Sequence, residues 1–332
     1  MSRRAAGLSG RQRFRETMRY GAPDRVPYFA EGLRDGVVES WHEQGLPPDA
    51  DVADLYAFDR RERVPVDLAP RGAESVRPTS RRELAELRRC LDPDDPDRLP
   101  NDWPRRVAAW RAREHVLELP IHHGFFLTMG VGDWRSFEEA VFLLADAPGL
   151  VRETLTLHAA LAARLADRIL ADVEVDFASF SEPIAGGDGP LLSPQTYEQV
   201  VLASYRPILD VLRRRGVETI VLVTYANARP LLPPAVRAGF NCLWACEAGG
   251  EAMDYLSVRR EFGRDLRLIG GIDLDVLLAD EAAIRSEIER KVPPLLAEGG
   301  YIPLADGRVR ANVPYENYRH YRRMLEQVTQ GG

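Results

Sequence analysis

The sequence predicts a (β/α)8 TIM barrel that forms a single α/β domain over residues 1–332. Eight short runs rich in β-branched and aromatic residues alternate with stretches in which apolar residues recur every three or four positions. Strands that alternate with helices are typical of parallel βα units, and eight such units close a barrel. An open doubly wound sheet is the alternative. No GxGxxG motif follows the first predicted strand, which argues against the dinucleotide-binding form of that sheet.

The predicted elements follow one another at the spacing of βα units. In chain order, the predicted strands are residues 25–32, 63–70, 115–124, 175–183, 219–225, 241–247, 266–273 and 301–307. A helix is predicted over 136–172, and another over 193–216, where Ser193-Pro194 is typical of a helix start and Gly216 of a helix end. Residues 71–112 are polar and broken by prolines, which predicts a surface insertion or lid.

Composition excludes several classes of partner. The content is 45% hydrophobic and 29% charged, as in soluble enzymes, and the net charge of −7 provides no basic field for nucleic acid. No apolar run approaches the roughly eighteen residues that span a membrane. With three cysteines and no apolar signal segment at the start, we expect a cytoplasmic protein that binds neither nucleic acid nor membrane. The sequence leaves open whether the chain forms a homodimer.

Charged and polar residues recur where the predicted strands end. In a barrel, the side chains at the carboxyl ends of the strands form the active site. At those ends stand Glu31, Arg34, Asp35, Asp67, His122, His123, Glu182, Thr224, Tyr225, Asn227, Glu247, Asp273, Asp306, Arg308 and Arg310. Their recurrence predicts one polar pocket.

The loop after the last predicted strand carries an acid and two arginines. Arg308 and Arg310 can hold a carboxylate by a planar two-point contact, or they can pair with Asp306 to close the barrel. Asp306 can stabilise a cation as a carboxylate, or it can donate a proton if burial raises its pKa. We therefore expect an anionic small-molecule substrate.

Further candidates lie at other strand ends. Glu182 precedes a glycine-rich loop, so backbone can approach a ligand there. His122 and His123 are adjacent on a strand, so we expect at most one to face the pocket, and His123 is the candidate acid or base. Asp273 follows paired glycines and is a candidate for substrate binding.

The predicted strand over 241–247 carries two candidates for substrate contact, Glu247 and Trp244, the latter as a pocket wall. Cys242 and Cys246 share one face of this strand, with Glu247 on the other. Buried free cysteine commonly fills cores, so a metal site there is the less favoured interpretation.

Four stretches carry a family resemblance: "RQRFRETMRYGAPDRVPYF" at 11–29, "SEPIAGGDGPLLSPQTYEQVVLASYRPILD" at 181–210, "AGFNCLWACEAGGEAMDYLSVRREFGRDLRLIGGIDLDVLLADEAAIRSEIERKV" at 238–292, and "GGYIPLADGRVRANVPYENYRHYRRML" at 299–325. With these stretches the chain resembles the uroporphyrinogen decarboxylase superfamily, which also includes zinc-dependent, corrinoid-linked methyltransferases. The resemblance covers nearly the whole chain outside 71–112 and implies a distorted (β/α)8 barrel.

The departures from the family patterns concern substrate and metal. Where decarboxylases of uroporphyrinogen carry "RQAGRY", this chain has "YFAEGLRDGVVESW", which keeps only Arg34 as an anion contact. Thr224 and Ala226 stand where the methyltransferases carry a His-x-Cys zinc pair, and "ADGRVR" lacks their later cysteine. Gly307 stands where many relatives carry a histidine. We therefore expect neither uroporphyrinogen as substrate nor a metal.

Tyr225 and Asn227 occupy the stretch that carries the zinc motif in the methyltransferases, so the resemblance implies that they lie near the centre of the site. Both can hydrogen-bond a ligand, and Tyr225 can also donate a proton. Together with Asp306, Glu182 and the arginines, they indicate a carbon–carbon lyase: a decarboxylase without a cofactor. A methyltransferase or demethylase that has lost its metal ligands, and a non-catalytic binding barrel, are the alternatives.

Overall fold

The computed structural model describes residues 7–72, 78–249 and 252–330, and shows an α/β fold. The α-helices are, in chain order, α1 (Gly10–Met18), α2 (Val37–Glu43), α3 (Val52–Leu55), α4 (Arg81–Cys90), α5 (Trp103–Arg111), α6 (Phe125–Thr128), α7 (Trp134–Asp146), α8 (Pro148–Asp172), α9 (Pro194–Thr196), α10 (Ala203–Arg214), α11 (Leu232–Ala238), α12 (Tyr255–Phe262), α13 (Glu281–Glu298) and α14 (Tyr315–Gln330).

The strands are β1 (Arg61–Arg63), β2 (Val116–His122), β3 (Phe177–Glu182), β4 (Ala185–Gly186), β5 (Gly189–Pro190), β6 (Ile220–Tyr225), β7 (Cys242–Cys246), β8 (Arg267–Ile272) and β9 (Tyr301–Ala305). Contacts between residues divide the chain into two compact units. Unit 1 consists of the described residues of 1–61, 114–116 and 242–332, and unit 2 of those of 62–113 and 117–241.

Unit 1 is built on three parallel strands. β8 pairs with β7 on one side, with Leu243 opposite Leu268, and with β9 on the other, with Leu268 opposite Tyr301. Every residue of β7 and β9 is buried, as is expected when helices cover a parallel sheet. The helices α12, α13 and α14 belong to this unit, and α13 packs on both β8 and β9.

Unit 2 also contains parallel strands. β3 lies between β2 and β6, with Glu118 opposite Phe177 and Ala178 opposite Ile220. The register between β2 and β3 shifts between Pro120 and His122. The long helix α8 packs against α10, and a small antiparallel hairpin of β4 and β5 follows β3.

The last six predicted strands are confirmed within two residues at each end, as β2, β3, β6, β7, β8 and β9. The first two are wrong. Residues 25–32 contain no strand, because Pro27 has no N–H and the N–H of Tyr28 donates to the Asp59 carboxylate at 2.8 Å. In the second predicted strand, 63–70, only Arg63 belongs to a strand, β1. Pro65 and Pro70 lack the backbone N–H that donates hydrogen bonds between strands.

The predicted insertion over 71–112 has secondary structure of its own. Residues 73–77 lie outside the described residues, while 78–112 contain α4 and α5. Leu87 and Trp110 are buried, and the buried Arg98 guanidinium donates to the carbonyl oxygens of Cys90 and Ala69. That this segment is an insertion or lid, and that residues 1–332 form one domain, stay predictions.

Among the described residues, no helix is both long and apolar enough to cross a membrane.

Candidate active site

A polar cavity of about 300 Å³ in unit 1 gathers five of the predicted site residues. They are Arg34, Glu247, Asp273, Asp306 and Arg310. Gly249, Leu274 and Asp275 complete the lining. We call it the acidic cavity, because four carboxyl groups and two guanidinium groups face it. Strand-end placement in the sequence therefore singled out side chains that do lie together.

Asp306 is the most buried carboxyl group of the acidic cavity. It follows β9, is 5% exposed, and accepts hydrogen bonds from the N–H groups of Leu274 at 2.9 Å and Ala248 at 3.2 Å. Burial raises the pKa of Asp306 to about 6, even though these two N–H groups lower it. A carboxyl group of this kind can hold a proton at mildly acidic pH and release it to a substrate.

The backbone of Glu247 is strained and is hydrogen-bonded to that of Asp306. It follows β7 with a φ of +47°, which non-glycine residues seldom adopt, and its N–H donates to the Asp306 carbonyl. Gly307 makes this approach possible, because a Cβ there would lie 3.2 Å from Glu247 Cγ and 3.3 Å from Leu274 Cδ2. A side chain at position 307 would therefore have to displace the Glu247 or Leu274 side chain slightly.

Each arginine of the acidic cavity is paired with an acid of the same cavity. Arg34 forms an ion pair with Glu247, and Arg310 pairs with Asp275 at 2.5 Å. Arg308 lines no part of this cavity and donates to the Leu33 carbonyl at 2.5 Å. Within the described residues, neither Arg308 nor Arg310 pairs with Asp306, so the barrel-closing alternative is not observed.

The other unit 1 candidates differ in their placement. Asp273 faces the acidic cavity and also caps the turn that follows β8 by accepting the N–H of Asp275 at 2.9 Å. Trp244 is buried within β7 and does not line the cavity; the Arg61 guanidinium lies 4.5 Å from the centre of its ring. A role for Trp244 as a pocket wall stays a prediction.

Glu182 forms a buried cluster in unit 2. Its side chain accepts hydrogen bonds from the N–H of Phe125 at 2.8 Å and from the hydroxyl of Tyr205 at 2.5 Å. Burial raises the pKa of Glu182 to about 7. Gly124 lets the backbone before Phe125 lie close to the end of β3, since a Cβ at position 124 would lie 2.4 Å from the Ser181 carbonyl oxygen.

Sequence reasoning missed the two tyrosines beside Glu182. Tyr197 and Tyr205 lie on one continuous helical stretch, α9 to α10, joined by a π-helical segment over Tyr197–Leu202. The Tyr197 hydroxyl is buried without a hydrogen-bond partner among the described residues, and its pKa is raised by burial and by Glu182. The hydroxyl of a buried tyrosine usually has a hydrogen-bond partner. Two tyrosines on one apolar helix face were therefore the sequence signal that indicated a buried polar cluster.

His122 and His123 lie at the end of β2 and line a cavity of about 350 Å³ in unit 2. Neither lines the acidic cavity, so the expectation that at most one of them faces the predicted polar pocket stays a prediction. The register between β2 and β3 shifts between Pro120 and His122, and the chain turns at Gly124, with a φ of +86°.

Tyr225 and Asn227 follow β6 in unit 2. Tyr225 is 37% exposed, and the side-chain oxygen of Asn227 is buried without a partner among the described residues. Neither residue lines the acidic cavity or the cavity beside His122. The catalytic candidates are thus divided, with Asp306 in unit 1 and Glu182, Tyr225 and His123 in unit 2.

The positions that carry zinc ligands in the related methyltransferases do not fit a metal here. Thr224 donates its hydroxyl to the Glu182 carbonyl at 3.2 Å, and Ala226 has no donor atom in its side chain. Burial raises the pKa of the Cys242 thiol to about 12 and also raises that of Cys246, so both thiols stay protonated at neutral pH. The described part of the chain holds no group of three or more His, Cys, Asp or Glu side chains arranged for a metal.

Comparisons with known proteins agree with the predicted resemblance. The sequence model of the family described as uroporphyrinogen decarboxylase (URO-D) matches residues 127–327. Among solved structures, a methyltransferase from Methanosarcina mazei is similar, with a TM-score of 0.66 and 16% identity over 96% of this chain and 99% of that chain. This likeness shows the fold alone, and no curated protein matches the sequence. Because the family match spans more than half of its residues, the chain belongs to the uroporphyrinogen decarboxylase family.

Proposed function

We propose that the protein is a cofactor-independent decarboxylase, a carbon–carbon lyase that acts on a small, electron-rich carboxylic acid other than uroporphyrinogen. The observation that carries the proposal is a buried acid, Asp306, with its pKa raised to about 6, in one cavity with two arginines that can hold a carboxylate. Membership of the family supports the same conclusion.

The substrate carboxylate binds first, to Arg34 and Arg310. Both side chains are accessible, and their present partners are Glu247 and Asp275 on the rim of the cavity. Exposed ion pairs of this kind contribute only about 0–1 kcal/mol, so an incoming carboxylate can take their place at little cost. The planar guanidinium group also fixes the orientation of the carboxylate that will leave.

Proton transfer then drives the loss of CO2. Protonated Asp306 delivers its proton to the substrate carbon that bears the carboxylate, which produces a cation. The carbon–carboxylate bond breaks, its electron pair returns to the substrate, and CO2 leaves, so that hydrogen has replaced the carboxylate. Asp306 is left ionised and takes up a proton from solvent. The remaining carboxylates of the acidic cavity stabilise the transient cation.

We further propose that the α/β fold is a distorted (β/α)8 barrel, in which residues 25–32 and 63–70 are irregular. The family resemblance and the parallel strands of each unit support this architecture. A cytoplasmic location is also proposed, supported by the family and by three free cysteines.

A screen for CO2 release tests the function. Purified protein is incubated with pyrrole, indole and phenol carboxylic acids that carry ¹³C in the carboxyl group, and ¹³CO2 is measured by mass spectrometry. We expect at least one acid to yield equal amounts of CO2 and of the decarboxylated product. We expect Arg34→Gln and Arg310→Gln to raise KM. Arg135→Gln, a control at an exposed arginine of α7 in unit 2, should leave KM unchanged. Release from none of the acids would sink the proposal.

Methyl transfer is the second candidate, favoured by the likeness to the Methanosarcina mazei methyltransferase. It predicts that the protein, purified without chelators, contains zinc in a stoichiometric amount and transfers a methyl group from a corrinoid to a thiol. Thr224 and Ala226 lack the donor atoms for such a site, which is why we rank it second. A binding protein without activity would instead keep its ligand affinity in Asp306→Asn and show no turnover in any form.

A further inference from the structure

The cavity of about 350 Å³ in unit 2 combines apolar walls with three imidazole rings. We call it the histidine cavity. It is lined by Leu68, Ala69, Pro70, Ile121, His122, His123, Leu127, Thr128, His158 and Ala162. The whole sequence contains six histidines, so half of them face this one space. It shares no lining residue with the acidic cavity.

The tautomer of His122 follows from its one hydrogen bond. The N–H of Gly124 donates to His122 Nδ1 at 2.9 Å, so Nδ1 is an acceptor and the ring proton is on Nε2. The ring is 95% buried by its packing against Phe180 and Tyr205, with a distance of 4.4 Å between the centres of the His122 and Tyr205 rings. Its Nε2–H has no partner in the part of the chain that the structure describes, which leaves it for a molecule in the cavity.

The other two imidazoles are also available for hydrogen bonding. Neither His123 nor His158 has a side-chain hydrogen bond to any described residue. Burial lowers the pKa of His158 to about 4 and also lowers that of His123, so both rings are neutral at physiological pH. A neutral imidazole offers one N–H donor and one nitrogen acceptor.

The walls of the cavity select the body of the ligand. Leu68, Pro70, Ile121 and Leu127 present carbon atoms, and no Asp, Glu, Lys or Arg lines the cavity. A cavity of about 150 Å³ is already large enough for benzene, so this one has room for an aromatic ring with substituents. A charged ligand would lose hydration here without an opposite charge on the cavity lining to pair with.

We propose that the histidine cavity binds an uncharged aromatic molecule of the phenol class, with its ring against the apolar walls and its hydroxyl group hydrogen-bonded to the imidazoles. The hydroxyl donates to a nitrogen acceptor of His123 or His158 and accepts the N–H of a neighbouring ring. The proposal does not depend on the reaction assigned to the acidic cavity, because it concerns other residues in the other unit.

Three probes of nearly the same shape test the ligand class: p-cresol, toluene and 4-methylbenzoate. Each is titrated into the full-length protein while the ring Cε1–H signals of the histidines are followed by NMR. We expect p-cresol to shift the signals of His122, His123 and His158 in a saturable way. Toluene should bind about tenfold more weakly, the loss expected for one hydrogen bond worth about 1.4 kcal/mol. 4-Methylbenzoate should bind more weakly than p-cresol.

Matched variants assign the binding to the cavity. His158→Leu and His123→Leu each remove one imidazole while keeping an apolar side chain, and His123 is at an exposed position that is expected to tolerate substitution. Loss of the ring that accepts the hydroxyl proton should weaken p-cresol binding about tenfold. His42→Gln is the control, because His42 lies in unit 1 and does not line the cavity. It should bind p-cresol like the parent protein.

Several outcomes overturn the proposal. One is the absence of saturable shifts at His122, His123 and His158. Another is equal or tighter binding of toluene or 4-methylbenzoate compared with p-cresol. A third is unchanged p-cresol affinity in both His123→Leu and His158→Leu. The histidine shifts and the toluene comparison in the parent protein keep the test decisive even if either variant fails to fold.

Discussion

At the scale of single residues, burial gives the two main carboxyl groups their chemistry. Asp306 and Glu182 each follow or end a strand, and each accepts a backbone N–H. The sequence identified both acids from their positions at strand ends. It gave no sign of the backbone donors or of the Tyr205 hydroxyl, because such partners depend on how distant segments pack. The raised pKa values therefore required the structure.

Replacing Asp306 tests the proton donor. Asp306→Asn keeps the size of the side chain but cannot transfer a proton, so we expect kcat for the acid found by the CO2 screen to fall about 10²–10⁴-fold. In the parent protein, kcat/KM should decrease as pH rises through about 6, where Asp306 loses its proton. The measurement is kcat/KM between pH 5 and 8. The exposed Asp210→Asn on α10 is the control, and a parent profile that rises through pH 6 would contradict the assignment.

Replacing Glu182 tests the buried acid through stability. Its pKa is raised from 4.5 to about 7, so above pH 4.5 the folded state binds more protons than the unfolded state. The free energy of unfolding therefore decreases as pH rises through this window, by about 3 kcal/mol from this group. Glu182→Gln, which imitates the protonated acid, should lack this decrease.

Urea unfolding at several pH values between 4.5 and 8 measures the difference in stability between Glu182→Gln and the parent. As pH rises, the free energy of unfolding of Glu182→Gln should increase relative to that of the parent protein. Glu198→Gln, at an exposed site on the same helical stretch, is the control and should follow the parent. A constant difference across the pH range would show that Glu182 ionises normally.

At the scale of elements, the paired glycines of β8 are explained by one tyrosine. The Tyr255 hydroxyl donates to the Ile269 carbonyl at 2.8 Å and accepts the N–H of Ala245 at 2.9 Å, so it links β7 to β8. Its ring lies directly against Gly271. The sequence showed only that paired glycines precede Asp273.

Two alanine substitutions separate backbone strain from steric clash in β8. Gly270 and Gly271 have φ values of +102° and +87°, so alanine costs about 1–2 kcal/mol of strain at either position. At Gly271, a Cβ would also lie 2.4 Å from Tyr255 Cδ2, whereas at Gly270 the nearest atom is 3.5 Å away. Gly271→Ala should therefore destabilise the protein by about 1–3 kcal/mol more than Gly270→Ala. Urea unfolding of both variants measures this, and equal losses would contradict the packing.

The elements also show what a sequence pattern can and cannot predict. Six strands were predicted at the positions that the structure shows. Short apolar runs bounded by turn residues are typical of buried strands. The two failures, at 25–32 and 63–70, come from prolines and from the Asp59 side chain, which takes the N–H of Tyr28. The π-helical segment over Tyr197–Leu202 leaves no mark in the hydrophobic pattern, so the position of Tyr197 beside Glu182 was missed.

At the scale of the whole molecule, strand-end position predicted some of the side chains that share a cavity and grouped others with them that lie elsewhere. It proposed one pocket, and five of its residues do line the acidic cavity. Periodicity shows which residues end a strand; it does not show which side chains face a common space. That is why Arg308 and Trp244 were grouped with this cavity although neither lines it.

Calorimetry tests the predicted single domain over 1–332. If the two units fold together, heating should give one transition whose calorimetric enthalpy equals the van't Hoff enthalpy. Gly271→Ala in unit 1 should then lower the midpoint of the whole transition. Two separated transitions, with only one of them shifted by Gly271→Ala, would show that the units are independent domains.

A crystal structure of Asp306→Asn with the acid identified by the CO2 screen tests the central claim most directly. The account predicts the carboxylate within hydrogen-bonding distance of Arg34 and Arg310, and the carbon that bears it in contact with the side chain at position 306. An acid bound outside the acidic cavity, or turned so that its carboxylate faces away from both arginines, would contradict the account.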